Sequence, residues 1–183
     1  MKNPFIIGDK IYLRGLEKED INGNNYQWFN DQEVCAGNSH AYKPNNFPNM
    51  ENYLNEVYNS NSLIVFAIID KTEDKHIGNI SLQDIDWLSR TAEYAIIIGE
   101  KEFWGKGYSK EASELILHHG FVNLNLHRIY LGTFENNIGM QKLSEKLRMT
   151  KEGVRRKAIY KNGKYLDIIE YGILREEYFL EKK

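Results

Sequence analysis

Two periods alternate along this chain. In KIYLRGL (Lys10 to Leu16) apolar and polar residues take turns, the period of a half-buried strand. SLIVFAIID (Ser62 to Asp70), HIGNISLQDID (His76 to Asp86), TAEYAIIIG (Thr91 to Gly99) and HRIYLGTFE (His127 to Glu135) are further strands. The first two of these form a hairpin across the charged turn KTEDK, and the second alternates in its middle. Elsewhere the period is helical. Met50, Tyr53, Leu54 and Val57 stand at i, i+3, i+4 and i+7. A first helix is expected in EKEDINGNNYQWFNDQEV, ending near Asn30 and Asp31. Another is expected from about Ser109 to Asn123, with Ala112, Leu115, Ile116 and His119 on one stripe. A short one is built on Met140, Leu143 and Leu147. The end of the chain reads as a hairpin turned at Asn162-Gly163. The order β-α-α-β-β-β-α-β-α-β-β predicts a mixed α/β (α+β) fold, with helices on the faces of a mixed sheet.

Length and composition narrow the setting. A chain of 183 residues, 42% hydrophobic and 27% charged, is expected to form one domain with a sizeable core. It shows no linker, repeat or low-complexity tract. The net charge of −2 gives no basic excess to draw the chain to nucleic acid or to an anionic membrane. Any phosphate must be caught locally. The start MKNPFIIGDKIYLRG is too polar for a signal peptide, and runs such as LIVFAII are far shorter than a membrane span. Cys35 is the sole cysteine, so neither an internal disulfide nor a cysteine-based zinc cluster can form. A cytoplasmic protein without a metal is expected.

The stretch GEKEFWGKGYSKEA (Gly99 to Ala112) carries the strongest chemical signal. Gly105 and Gly107 flank Lys106 between an apolar strand and a helix start. A Rossmann fingerprint would need glycine where Lys110 stands, and the Walker A pattern is absent. Bare glycines at a helix mouth can still turn backbone N–H groups onto a diphosphate, with the positive helix end behind them. A tight strand-to-helix turn is the structural alternative.

The flanks favour the phosphate reading. Glu102-Phe103-Trp104-Gly105-Lys106-Gly107 resembles the Q/R-x-x-G-x-G/A loop of the GCN5-related N-acetyltransferases, with glutamate in the first place. GYSKEA resembles the GYATEA that follows it there, and YGILREEY (Tyr171 to Tyr178) resembles that family's closing strand and tail. The similarity extends over nearly the whole chain and is strongest from Ala92 to Met149. The branch it resembles holds ribosomal-protein alanine, amino-sugar and spermidine N-acetyltransferases. The resemblance implies a central, mostly antiparallel sheet with a splayed cofactor cleft. Within one domain over 1–183 it implies an acceptor-side half (about 8–90), an acetyl-CoA core (about 91–150) and a closing hairpin and tail (151–183).

The same resemblance assigns residues. Acetyl-CoA would be held by the backbone of Ile96, Ile97 and Ile98, by the loop Phe103, Trp104, Gly105, Lys106, Gly107, Tyr108 and Ser109, and by Asn137 and Lys142. NIGMQKLSEKLRM resembles the family's N-x-x-A/S-x-x-x-Y-E-K-L-G-F, with Asn137 as the Asn, Ser144 at the Tyr and Arg148-Met149 replacing Gly-Phe. Ser144 is a poorer acid than tyrosine, and is expected to orient the sulfur or relay a proton through water. Asn137 doubles as a helix cap. Glu93, at the head of the cofactor strand, is the expected base; Gly132 stands where some relatives carry a basic glutamate.

NYQWFNDQEV resembles the W-x-N-D-x-x-V of the ribosomal-protein and sugar-directed relatives. Trp28, Phe29, Asn30, Asp31, Tyr42, Asp84 and Trp87 are the expected acceptor residues, and HAYKPNNFPN a lid or surface loop. Helix-to-sheet packing is the alternative for Trp28 and Phe29. The expected reaction is direct attack of a primary amine on acetyl-CoA in a ternary complex. An amino sugar, a sugar nucleotide or a protein N-terminus is the expected acceptor. A polyamine is disfavoured because no dense acidic cluster is visible. A degenerate CoA-binding module is the other class, and a monomer or homodimer the expected state.

Overall fold

A computed structural model describes residues 1–180; the last three residues of the tail lie outside it. One eight-stranded sheet runs through the molecule in the order β1-β2-β3-β4-β5-β6-β8-β7. The strands are β1 (Ile6–Ile7), β2 (Ile11–Gly15), β3 (Ile64–Asp70), β4 (Lys75–Asp86), β5 (Thr91–Ile98), β6 (Arg128–Phe134), β7 (Thr150–Lys161) and β8 (Lys164–Leu174). Every neighbouring pair is antiparallel except β5 and β6.

The alternation seen in the sequence distributes two cores. Ile11, Leu13, Phe66, Ile68, Ile80, Leu82 and Tyr94 face helix α4 (Tyr108–His118), where Ala112, Ile116 and Leu117 complete one cluster. Tyr12, Val65, Ala67 and Ile69 face the opposite way. They bury Ile21 of α1 (Lys18–Asn22) with Met50 and Leu54 of α3 (Phe47–Asn59). Sheet residues one apart thus serve different helices. Asn46 caps α3, its side chain accepting from the Asn49 N–H.

The expected first helix is two short ones, α1 and α2 (Asn25–Trp28), because Gly23 closes α1 on the Asp20 carbonyl. The helix expected to reach Asn123 leaves α-geometry at His119 and ends in a π-helical turn, His119–Asn123. Gly120 in that turn lies so close to Ile129 that an added Cβ would approach its Cδ1 to 2.8 Å. Helix α5 spans Ile138–Lys146, and a short α6 (Arg175–Leu180) follows β8; β1 and α6 were not anticipated. Asn162 and Gly163 turn the closing hairpin at φ 51° and 81°, both positive as a two-residue type I′ turn needs. Arg148, where the resembled pattern has glycine, adopts the left-handed φ of 61° itself.

Candidate active site

The sheet opens at its centre. β5 pairs with β4 along most of its length, and β6 with β8 from Arg128 to Phe134. Between β5 and β6 only Thr91–Glu93 pair with Arg128–Tyr130. Beyond Glu93 the two strands part, so the β6-side backbone groups of Tyr94 to Ile98 lack a strand partner. One of them, the Ile98 carbonyl, accepts from Trp104 Nε1 at 2.8 Å. A cleft of about 1060 Å³ fills the divergence.

The glycine loop closes one end of it. Gly105 and Gly107 have φ of 71° and 90°. Gly107 is the N-cap of α4 and offers no side chain, so the first N–H groups of that helix are left for an outside acceptor. Three contacts pin the loop to the sheet. Lys10 Nζ donates to the Lys106 carbonyl (3.0 Å), Tyr108 donates its hydroxyl to Asp70 Oδ1 (2.9 Å), and Glu111 accepts from the Lys10 N–H (2.9 Å). Of the expected cofactor residues, Ile96, Ile97, Ile98, Trp104, Gly105, Gly107, Ser109, Asn137 and Lys142 line this cleft. Phe103, Lys106 and Tyr108 serve the loop from outside that lining. Phe103 is buried, Lys106 leans its ammonium over the Phe103 ring, and Tyr108 is the anchor on Asp70. Glu102, in the Gln/Arg place, is ion-paired with Lys75.

A strap from Gly37 to His40 lines the cleft. Asn137 donates its amide to the Gly37 carbonyl (3.1 Å) and caps α5 by accepting from the Met140 N–H. Lys161, at the tip of the closing hairpin, donates to the carbonyls of Cys35, Asn38 and His40 at 3.0, 2.9 and 2.6 Å. Neither partner of the strap could be paired with it from the sequence.

On the far side of the strap lies a second cavity of about 410 Å³, between α3 and the sheet. Both cavities share Asn38, His40, Gln83 and the β5 segment Ala95, Ile96 and Ile97. A group bound in one can therefore meet a group bound in the other across Ala95–Ile97. Burial pushes the Tyr53 phenol in the second cavity up to about 12, with the charge of Glu56 adding to it, so it stays neutral.

The expected acceptor residues divide. Phe29 and Tyr42 line the second cavity, Phe29 edge-on to the His40 ring. Trp28 does not. It is buried against Gly99 and donates Nε1 to Glu100 (2.9 Å). Asn30 clasps the Asn45 backbone with both ends of its side-chain amide, and Asp31 caps the next turn and pairs with Lys101. Asp84 and Trp87 sit exposed at the far end of β4 and in its turn, away from both cavities; Trp87 donates to the Asn61 carbonyl.

Glu93 lines the larger cleft at the last paired rung, held by Gln83 Nε2 at 3.0 Å. Ser144 is fully buried on the inner side of α5. Its hydroxyl donates to the Met140 carbonyl (2.9 Å) and is absent from the cleft lining, because a serine on that helical face is too short to reach past its own turn. Gln83 and the strap were missed by sequence reasoning. The signal for Gln83 was the polar row Asn79, Ser81, Gln83 in an otherwise apolar strand.

A parted parallel strand pair, an uncapped helix mouth at one end and a second cavity opening onto the same strand suit a transferase that holds two substrates, one of them bearing phosphate. The acetyltransferase (GNAT) domain family matches residues 10–150, and the chain belongs to that family. It is similar to the spermidine N(1)-acetyltransferase of Vibrio cholerae, 29% identical over 181 residues that cover 94% of this chain and 97% of that one. The putative ribosomal N-acetyltransferase of Bacillus subtilis is 32% identical over 105 residues, 57% of each chain. Among solved structures, the spermidine N-acetyltransferase of Vibrio cholerae in complex with CoA and spermine superposes with a TM-score of 0.85 at 28% identity, covering 93% of this chain and 99% of that one. The protein is an acetyl-CoA-dependent N-acetyltransferase. Among the described residues no helix is long and apolar enough to cross a membrane, and no group of three metal-binding side chains gathers.

Proposed function

We propose that the protein acetylates a primary amine of a small molecule by direct attack on acetyl-CoA, both bound at once. The observation that carries this reading is the meeting of the two cavities along Ala95–Ile97. Holding amine and thioester there supplies alignment, which can be worth about 7–11 kcal/mol. Glu93 is the base we assign: the amine nitrogen adds to the thioester carbon, its proton passes to Glu93 through water, and the C–S bond breaks to release CoA as thiolate. Unpaired β5 N–H groups next to Glu93 supply the oxyanion donor.

The named activity of the similar proteins favours a polyamine over the amino sugar or protein N-terminus expected from the sequence. A second reading, an amine with an uncharged tail, is favoured by the pocket itself. Among the described residues no carboxylate lines the smaller cavity, and Lys43 stands on it.

The test is thiol release from acetyl-CoA with spermidine, spermine, glucosamine and an alanine-ended peptide, with the products weighed. Acetylated spermidine supports the first reading, and an acetylated neutral amine the second. With the best acceptor, Glu93→Gln should lower kcat about 100-fold or more at unchanged acetyl-CoA affinity. An unchanged kcat would remove Glu93 from the mechanism.

A further inference from the structure

The floor of the smaller cavity is a polar row in the middle of the sheet. Asn79, Ser81 and Gln83 of β4 point to the α3 side, where β3 offers Val65, Ala67 and Ile69. Asn79 and Ser81 are only 6% and 8% exposed. A buried polar group left unpaired costs about 1–3 kcal/mol, so a central strand has no packing reason to place them there.

Asn79 is oriented from behind. Its Oδ1 accepts from His76 Nε2 at 2.8 Å, and its Nδ2 donates to Asn25 Oδ1 at 3.2 Å. His76 Nε2 also lies 2.9 Å from the Gly78 carbonyl, which can only accept, so that nitrogen carries a hydrogen. The other ring nitrogen stands 3.4 Å from Asp20, and Arg14 grips Asp20 through two 2.7 Å bonds. A chain from buried Arg14 and Asp20 through partly buried His76 to buried Asn79 therefore ends on the cavity floor. Ser81 Oγ makes no hydrogen bond among the described residues, and the bond from Gln83 to Glu93 uses only its Nε2. The row offers Ser81 Oγ, Gln83 Oε1 and the second lone pair of Asn79 Oδ1 as acceptors, beside the remaining N–H of Asn79.

We propose that Asn79, Ser81 and Gln83 read an N–H or O–H donor on the tail of the acceptor amine, and that His76 is the positioning residue that holds Asn79 to this task. This rests on the acetyltransferase reading and names the acceptor chemistry it takes: a primary amine with a second donor a few bonds away. The secondary amine of a polyamine and the hydroxyl of an amino alcohol both qualify.

The probes are spermidine, 3-amino-1-propanol and propylamine, which lacks the second donor. For the wild type, kcat/KM with spermidine or with aminopropanol should exceed that with propylamine about tenfold or more; which of the two wins identifies the source of the donor. Asn79→Leu and the milder Ser81→Ala should each bring that ratio to within about threefold of one, through the KM of the amine, with the KM of acetyl-CoA unchanged. His76→Leu should copy Asn79→Leu, and His76→Gln, which retains a side-chain N–H, should restore most of the preference. Equal rates with all three amines in the wild type, or a full preference in both Asn79→Leu and Ser81→Ala, overturns the proposal while leaving the acetyltransferase reading intact. A lost preference that His76→Gln does not restore removes His76 from it. Acetyl-CoA binding with no thiol release for any amine overturns both.

Discussion

Trp28 and Gly99 illustrate how a residue that looks like part of a pocket becomes part of the frame. A Cβ on Gly99 would stand 1.9 Å from Trp28 Cδ2, and the ring is tied by its Nε1 to Glu100, a carboxyl whose pKa burial raises but Lys75 and Trp28 together lower on balance. Gly99→Ala is expected to cost about 2–3 kcal/mol, read as a lower urea midpoint at unchanged m. Ser144 makes the opposite point about chemistry. With its hydroxyl spent on the Met140 carbonyl, Ser144→Ala should leave kcat within about twofold of wild type and cost about 1 kcal/mol of stability. A tenfold loss of kcat at unchanged stability would give Ser144 a part in the reaction. The tyrosine-equivalent position could be found in the sequence; the direction of a short side chain on α5 could not, since it depends on helix rotation rather than on spacing.

At the scale of elements, local signals were legible and long-range pairings were not. Alternation marked β2 and the middle of β4, and the glycine pair marked the mouth of α4, because each depends on neighbours within a few residues. The parting of β5 from β6 is set by pairings across α4, so only the resemblance to a known family foresaw it. The loop between α2 and α3 was legible only as polar. Its anchors, Asn137 and Lys161, lie 100 or more residues away from the carbonyls they bind. Of the two, Lys161 is the stronger clamp, since one ammonium satisfies three carbonyls of a segment with no sheet partner. Lys161→Met should raise amide exchange across residues 36–40 about tenfold while exchange in β3 and β4 stays unchanged. Equal exchange in both proteins would mean that Lys161 does not hold the strap.

Across the whole molecule, the sheet separates two duties by face and by end. The α3 face carries the Arg14–Asp20 pair, and its electrostatics give a pH signature. Burial alone would raise the Asp20 pKa, but hydrogen bonds from Arg14 and then His76 hold it well below the usual carboxylate range. A lowered folded-state pKa means the stabilisation is fully present above the unfolded value of about 3.9 and is lost as pH falls from there toward the folded value. Asp20→Asn should therefore cost about 3–5 kcal/mol at pH 7, where it leaves Arg14 buried without its counter-charge, and should flatten the loss of stability below about pH 4.

The glycine loop is independent of that network, because among the described residues Gly107 and Asn79 share no hydrogen-bond partner. Acetyl-CoA at 100 times its Kd adds about 2.7 kcal/mol to the stability of a protein that binds it only when folded. Gly107 has φ +90°, and a Cβ added there would meet only Lys10 Nζ, at 3.7 Å, so Gly107→Ala is strained by about 1–2 kcal/mol but not sterically blocked. At the concentration that saturates wild type, Gly107→Ala should lose most of the ligand-induced rise in Tm and Asn79→Leu should keep it, the two effects adding within about 0.5 kcal/mol in the double variant. If Asn79→Leu also abolished the rise, the acceptor floor would be part of the donor site, and the cleft and the pocket would have to be treated as one cavity.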